Sequence, residues 1–330
     1  MRELATDVAI IGAGTAGLNA RREVARAGKA WILIESGPYG TTCARVGCMP
    51  SKLLIAAAEA AHGAQRAGVF GVHIDASAIR VDSREVLARV RRERDRFVSL
   101  VVAEVEALAP EQRVQGYARF VGPTELMVDD HTHVRAKAVV VATGSRPRLL
   151  AALEPLGDRV LTSDSVFELQ VLPRSIAVFG TGGIGLELGQ ALCALGVRVV
   201  FFNPNPKLGF FTDPVIEARS KAYWSAELSL ELGVRELTAE RAGEGVRLSY
   251  RSASGLAEQA EFERVRARLP EQSDQVQPAA EETVIAANAR AAGAQRAQEE
   301  AEAAARSEIE RVRSAAEAAT RDARELAARA

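Results

Sequence analysis

Asp7-Val-Ala-Ile-Ile-Gly12-Ala-Gly14-Thr-Ala-Gly17 stands near the start of the chain, and Ser175-Ile-Ala-Val-Phe-Gly180-Thr-Gly182-Gly-Ile-Gly185 repeats its pattern. Each opens with a short apolar run, the mark of a strand buried on both faces. Each continues through GxGxxG into a helix-length segment, Leu18 to Ala27 and Leu186 to Leu195. Gly28 and Gly196 read as the helix stops. A second apolar run follows in both places: Ala30-Trp-Ile-Leu-Ile34 and Val197-Arg-Val-Val-Phe-Phe202. In such a strand–turn–helix–strand unit the first Gly makes the tight turn. The second admits a pyrophosphate to backbone N–H groups, and the third lets the helix pack close to the sheet. Gly12, Gly14 and Gly17 therefore predict one dinucleotide site, and Gly180, Gly182 and Gly185 a second.

The two units differ where their second strands end. The first closes on Glu35, whose carboxylate is placed to accept hydrogen bonds from ribose hydroxyls. The second runs Phe202-Asn203-Pro-Asn-Pro-Lys207. It offers neither the acid expected for NAD nor the basic cluster expected for the 2′-phosphate of NADP. The fold class is α/β with two Rossmann-like units, and 330 residues suffice for two such cores. Lys+Arg 42 against Asp+Glu 43 leaves a formal net charge of -1, which favours neither a nucleic-acid nor a membrane-surface partner. No apolar run is long enough to span a bilayer, and the start of the chain lacks a cleavage pattern, so a cytoplasmic protein is expected.

Between the units lies Gly40-Thr-Thr-Cys43-Ala-Arg-Val-Gly-Cys48-Met-Pro-Ser-Lys52, holding two of the chain's Cys 3. A zinc site would need further Cys or His ligands, and neither His62 nor His73 supplies the spacing. Two inert core thiols suit a stretch rich in Thr, Gly, Pro and Ser poorly. A redox-active pair is the third reading. An ideal helix would hold these positions about 8.7 Å apart at Cα, too far for a bridge. A bridge therefore requires a bend, for which Gly47 gives the freedom. A helix N-terminus and Lys52 nearby would favour a thiolate.

At this point the sequence resembles the flavin-dependent pyridine nucleotide–disulfide oxidoreductases, and within them most closely the dihydrolipoamide dehydrogenases. Gly12-Ala-Gly-Thr-Ala-Gly17, Glu35-Ser-Gly-Pro-Tyr-Gly40, Cys43-Ala-Arg-Val-Gly-Cys48 and Pro50-Ser-Lys52 carry the resemblance. It implies FAD in the first unit, with Glu35 on the adenosine ribose and Thr42 and Ala142-Thr143-Gly144 beside the cofactor. It implies NAD(P) in the second unit. Cys48 would face the flavin, Cys43 would exchange with a dithiol substrate such as a lipoyl group, and Lys52 would pair with Glu187 near the flavin edge. No metal is implied. Thr41 stands where the family usually has Gly, a departure expected to matter little. The shared motifs do not separate this activity from mercuric or glutathione-type reduction.

Elsewhere the expectations are plainer. Asp82 to Leu108 reads as a helix whose run Arg89-Val-Arg-Arg-Glu-Arg-Asp-Arg96 is a solvated face. His131 and His133 sit beside two aspartates, as in a polar loop tip. Cys193 reads as a small packing residue. The domains expected are 1–150 for FAD and the cysteine pair, 151–256 for an incomplete NAD(P) unit, and 257–330 for a helical or partly disordered tail rich in Ala, Glu and Arg. The family's later Gly-Asp and His-Glu segments have no counterpart here, and His62, His73, His131 and His133 all precede them. The resemblance thus predicts a truncated or rearranged copy without the family's homodimer interface. The alternative function is a non-catalytic nucleotide-binding remnant with an assembly tail.

Overall fold

The computed structural model describes residues 1–267, Arg148 and Phe210 excepted. The expected tail from residue 268 onward lies outside the described residues.

The first unit runs β1 (Arg2–Ile11), α1 (Thr15–Arg26), β2 (Trp31–Glu35), α2 (Thr42–Arg45), α3 (Cys48–Arg66), α4 (Ser83–Glu106), β3 (Arg113–Gln115), β4 (Ala118–Phe120), β5 (Glu125–Val128) and β6 (Thr132–Val141). Its sheet has the order β3-β2-β1-β6-β5-β4. The β1, β2, β3 and β6 pairings are parallel, and β4 and β5 form an antiparallel meander with the first half of β6. Trp31 to Ile34 is buried at every residue, as a parallel strand covered on both faces must be. At the start of α4 the Asp82 carboxylate accepts from the amides of Arg84 and Glu85, which would otherwise lack partners.

The second unit runs β7 (Val160–Leu161), β8 (Ser175–Phe179), α5 (Gly183–Ala194), β9 (Arg198–Asn203), α6 (Pro214–Glu227), β10 (Ser229–Leu232), β11 (Arg235–Ala242), β12 (Gly245–Arg251), β13 (Ala257–Phe262) and β14 (Arg264–Ala267). A parallel sheet β10-β9-β8-β14-β7 packs on an antiparallel sheet β11-β12-β13. The plan of the first unit returns: β8 lies between β9 and β14 as β1 lies between β2 and β6, and a meander precedes the closing strand.

This repeat corrects the expected boundary. Residues 257–267 do not begin a tail; they complete the second unit. Phe262 and Val265 are buried, and the Phe262 ring meets Phe202 edge-on at 5.9 Å. No apolar period marks the segment: Glu258 stands on the covered side of β13, Val265, Arg266 and Ala267 of β14 are all buried, and the charged residues give it the composition of a solvated helix.

The arginine run also departs from expectation. Arg91 donates to the Leu169 carbonyl and, at 3.2 Å, to Gln170, and Arg94 pairs with Glu168 and with Asp95 at 2.9 Å. Both guanidiniums fasten α4 to the 3₁₀ turn Val166–Glu168. Arg94 is 8% exposed, and a charge so covered needs its partners. His133 lies within β6, not at the loop tip. Its Nδ1 is 2.8 Å from Glu3 and its Nε2 3.4 Å from Glu125. Among the described residues no group of side chains could hold a metal ion, and no helix is long and apolar enough to cross a membrane.

One apolar cluster joins Leu54 and Ala58 of α3 and Val90 of α4 to Leu188 and Leu192 of α5 and Phe201 of β9. It fixes α3 against α5 and so sets the site described next.

Candidate redox site and dinucleotide turns

The first glycine turn is built by close approach. Gly12 has φ 109 and donates its amide to the Ile34 carbonyl at 2.7 Å. A Cβ on Gly12 would lie 2.2 Å from the Ala142 carbonyl oxygen, and one on Gly17 would lie 1.8 Å from the Gly12 carbonyl oxygen. Gly14 caps α1, and a Cβ there would meet nothing. The open end of α1 carries no acid in its first turn, so its amides and dipole suit an anion. Glu35 accepts from Ala13 N at 2.7 Å and Gly37 N at 2.8 Å. Those two bonds leave the carboxylate further lone pairs for a ribose.

A cavity of about 520 Å³ opens over this turn, and Gly12, Gly14, Glu35, Thr42, Thr143 and Gly144 line it. Ala142 lines it as well. Gly17 does not; it serves helix packing. Sequence reading missed Arg45, Tyr117 and Arg146 in the same lining. Nothing local marks them, because they come from separate segments.

The second turn copies the first. Gly180 has φ 93 and donates to the Phe202 carbonyl at 2.9 Å. Gly182 caps α5, and a Cβ on Gly185 would lie 2.1 Å from the Gly180 carbonyl oxygen.

Cys43 lies in α2 and Cys48 is the first residue of α3, both as free thiols. Gly47 makes the bend between them with φ -118 and ψ -116, and a Cβ there would sit 3.1 Å from the Thr42 carbonyl oxygen. The Cys43 thiol is held above its ordinary pKa. Its hydrogen bond to the Cys48 side chain is the largest cause and burial the next, with the Cys48 amide opposing both. Cys43 is half-buried and Cys48 exposed. Thr42, one residue before Cys43, reaches the cavity that Glu35 lines.

Thr41 is not a neutral departure. Its φ of 51 and ψ of 146 fall in a region nearly reserved for Gly. Its hydroxyl accepts from Ala44 N at 3.1 Å, so the residue caps α2 while straining the backbone before it.

Lys52 and Ser51 leave the first turns of α3 toward α5. Lys52 Nζ is 3.1 Å from Glu187 Oε2, and Ser51 Oγ donates to Glu187 Oε1. The glutamate lies two residues beyond Gly185, so the pair links the redox helix to the second glycine turn. A second cavity of about 480 Å³ runs from Glu187 between α3 and α5 past His62 and Cys193. Burial raises the Cys193 thiol pKa, and Glu227 adds to it, as suits a packing residue.

Two dinucleotide turns on repeated parallel sheets, with a close dithiol at the head of the helix that spans them, define a two-nucleotide redox protein. The chain belongs to the pyridine nucleotide-disulphide oxidoreductase family, whose sequence model matches residues 6–255. Proteins of this family use FAD and NAD(P). The chain is similar to a dihydrolipoyl dehydrogenase of Bacillus subtilis, at 33% identity over 58% of this chain and 43% of that one. It is similar to dihydrolipoyl dehydrogenase 3 of Pseudomonas aeruginosa, at 32% over 76% and 55%, and to leghemoglobin reductase of Vigna unguiculata, at 30% over 76% and 48%. It spans about half the length of these relatives.

Proposed function

We propose that the chain transfers electrons between a dithiol substrate and a nicotinamide dinucleotide through the Cys43–Cys48 pair, as a dihydrolipoyl dehydrogenase does. The observation that carries this reading is the dithiol at the α2–α3 bend, one residue from the cavity of the first glycine turn and tied through α3 to the second. Gly12, Gly14, Glu35, Thr42 and Ala142-Thr143-Gly144 would hold FAD, and Gly180, Gly182 and Gly185 would hold the nicotinamide coenzyme. FAD held there would supply a two-electron carrier between the cysteine dithiol and the nicotinamide.

The residues' own part begins with the bridged pair. A substrate thiolate attacks Cys43 Sγ, the Cys43–Cys48 bond breaks, and Cys48 leaves as a thiolate. The second substrate thiol then attacks its own sulfur in the mixed disulfide. The substrate departs as a disulfide, and Cys43 and Cys48 are left reduced by two electrons. Lys52, held by Glu187, sets a positive charge beside the start of α3.

The test is to purify the full chain, load it with FAD and mix it with dihydrolipoamide and NAD⁺. NADH formation that disappears in Cys43→Ser and Cys48→Ser is expected. A full chain that binds FAD and coenzyme yet never oxidises the dithiol would overturn the reading.

A further inference from the structure

The register of the two units places Asn203 where the first has Glu35. Ile11 pairs with Ile34 and Phe179 with Phe202, so Glu35 and Asn203 are each the next residue on the second strand. Thr181 likewise stands for Ala13 inside the turn. In the first unit Glu35 carries a charge and spends two bonds on the Ala13 and Gly37 amides. In the second, both polar side-chain atoms of Asn203 are hydrogen-bonded to the glycine turn and to the loop that follows the strand. Nδ2 donates to Thr181 Oγ1 at 2.5 Å and to the Lys207 carbonyl at 3.3 Å, while Oδ1 accepts from Asn205 N at 3.0 Å. Thr181 is 1% exposed, and its hydroxyl also donates to the Lys207 carbonyl. Gly209 N closes the loop onto the Thr181 carbonyl at 2.9 Å.

We infer that this neutral, internally bonded tip makes the second unit indifferent to the 2′-phosphate, so that it takes NADP as well as NAD. The inference rests on the functional reading above, which places the nicotinamide coenzyme in this unit. A carboxylate here discriminates twice: it accepts from the ribose 2′-hydroxyl, and it repels a phosphate in that place. Asn203 carries no charge to repel the phosphate, both its Nδ2 hydrogens are already placed on Thr181 and Lys207, and its Oδ1 is a neutral acceptor that already serves Asn205 N. The fixed loop then meets either coenzyme with the same backbone, and the one ionic side chain of the segment Asn203 to Lys207 is the cation Lys207.

The test titrates the oxidised, FAD-loaded full chain with NAD⁺ and with NADP⁺ in a calorimeter, so that binding is read as heat without turnover. Dissociation constants within about 5-fold of each other are expected, because the tip carries no carboxylate to repel the 2′-phosphate and no basic cluster to select it. Asn203→Glu restores the charge and is expected to weaken NADP⁺ by about 10-fold or more while tightening NAD⁺. Asn203→Ala breaks the loop bonds without adding charge and should leave the ratio where it was. A wild-type preference above about 10-fold for either coenzyme overturns the inference and leaves the function standing. Failure of the wild type to bind either one overturns both. The wild-type ratio needs no variant to fold.

Discussion

Ser51 Oγ donates to one oxygen of the Glu187 carboxylate while Lys52 Nζ holds the other at 3.1 Å. Consecutive residues of α3 thus grip a single side chain of α5. The ion pair is largely solvated, with Lys52 65% exposed, so it contributes at most about 1 kcal/mol to stability. Ser51 is buried, and its bond to a carboxylate is the stronger anchor. Ser51→Ala is expected to destabilise the chain by about 1–2 kcal/mol in urea unfolding, and Ser51→Thr by less. If Ser51→Ala and Lys52→Met lost equal stability, the hydroxyl would not be the anchor.

Thr41→Gly should stabilise the protein. A non-Gly residue at this φ and ψ costs about 1–3 kcal/mol, and losing the hydroxyl cap on Ala44 N returns a few tenths, since Gly replaces a capping side chain at little loss. A net gain of about 1 kcal/mol is expected, read as a higher melting temperature in thermal unfolding. A lower melting temperature would show that the cap outweighs the strain.

On the proposed function, Gly17→Ala and Gly185→Ala should act on separate ligands. Each adds a Cβ within 1.8 Å or 2.1 Å of the carbonyl oxygen of its own unit's first glycine, so turn and helix must part. Gly17→Ala should abolish FAD retention on gel filtration while coenzyme binding persists. Gly185→Ala should do the reverse. Loss of both ligands in either variant would mean that the turns do not serve distinct nucleotides.

The glycine turns were legible because GxGxxG is written in adjacent residues, and Glu35 because it ends the strand that follows them. The Cβ clash at Gly17 is with Gly12 of the same turn, whereas the close approach of Gly12 to Ala142 needed the folded sheet. The bend at Gly47 was legible for the same reason. The arginine clamp was not, because Leu169 and Glu168 lie more than seventy positions from Arg91 and Arg94 and no periodicity connects them. The strain at Thr41 escaped because composition says which residue stands there and not which φ the fold imposes. Asn203 was visible as a missing acid, but its bonds to Thr181 and Lys207 required the folded loop.

The cysteines should alkylate in a fixed order. Cys48 is exposed and Cys43 half-buried, with its thiol raised by the bond to Cys48 and by burial. A raised thiol stays protonated, and so unreactive, until pH climbs above the usual range near about 8.5. Iodoacetamide labelling followed by mass spectrometry is expected to mark Cys48 first at neutral pH and Cys43 only as pH rises. Cys48→Ala removes the largest cause of the shift, so the onset of Cys43 labelling should move to lower pH. An unmoved onset would leave burial as the sole cause.

Phe262→Ala tests where the second unit ends. The ring is 2% exposed, packs edge-on to Phe202 and lies 4.7 Å under the Arg198 guanidinium, within the cluster of Val234, Val246 and Leu248. Truncating a ring so enclosed leaves a cavity between the two sheets and should remove about 3–5 kcal/mol. Phe262→Leu keeps most of the volume and should lose less than about 2 kcal/mol. Leu256, only six positions earlier, is 66% exposed, and Leu256→Ala should change stability by no more than about 0.5 kcal/mol. The composition of 257–267 predicts the opposite: a change inside a solvated tail would be silent, and Phe262→Ala would match Leu256→Ala. Urea unfolding of the three variants separates the two accounts, because only a strand closing the sheet makes the loss depend on the volume removed at Phe262.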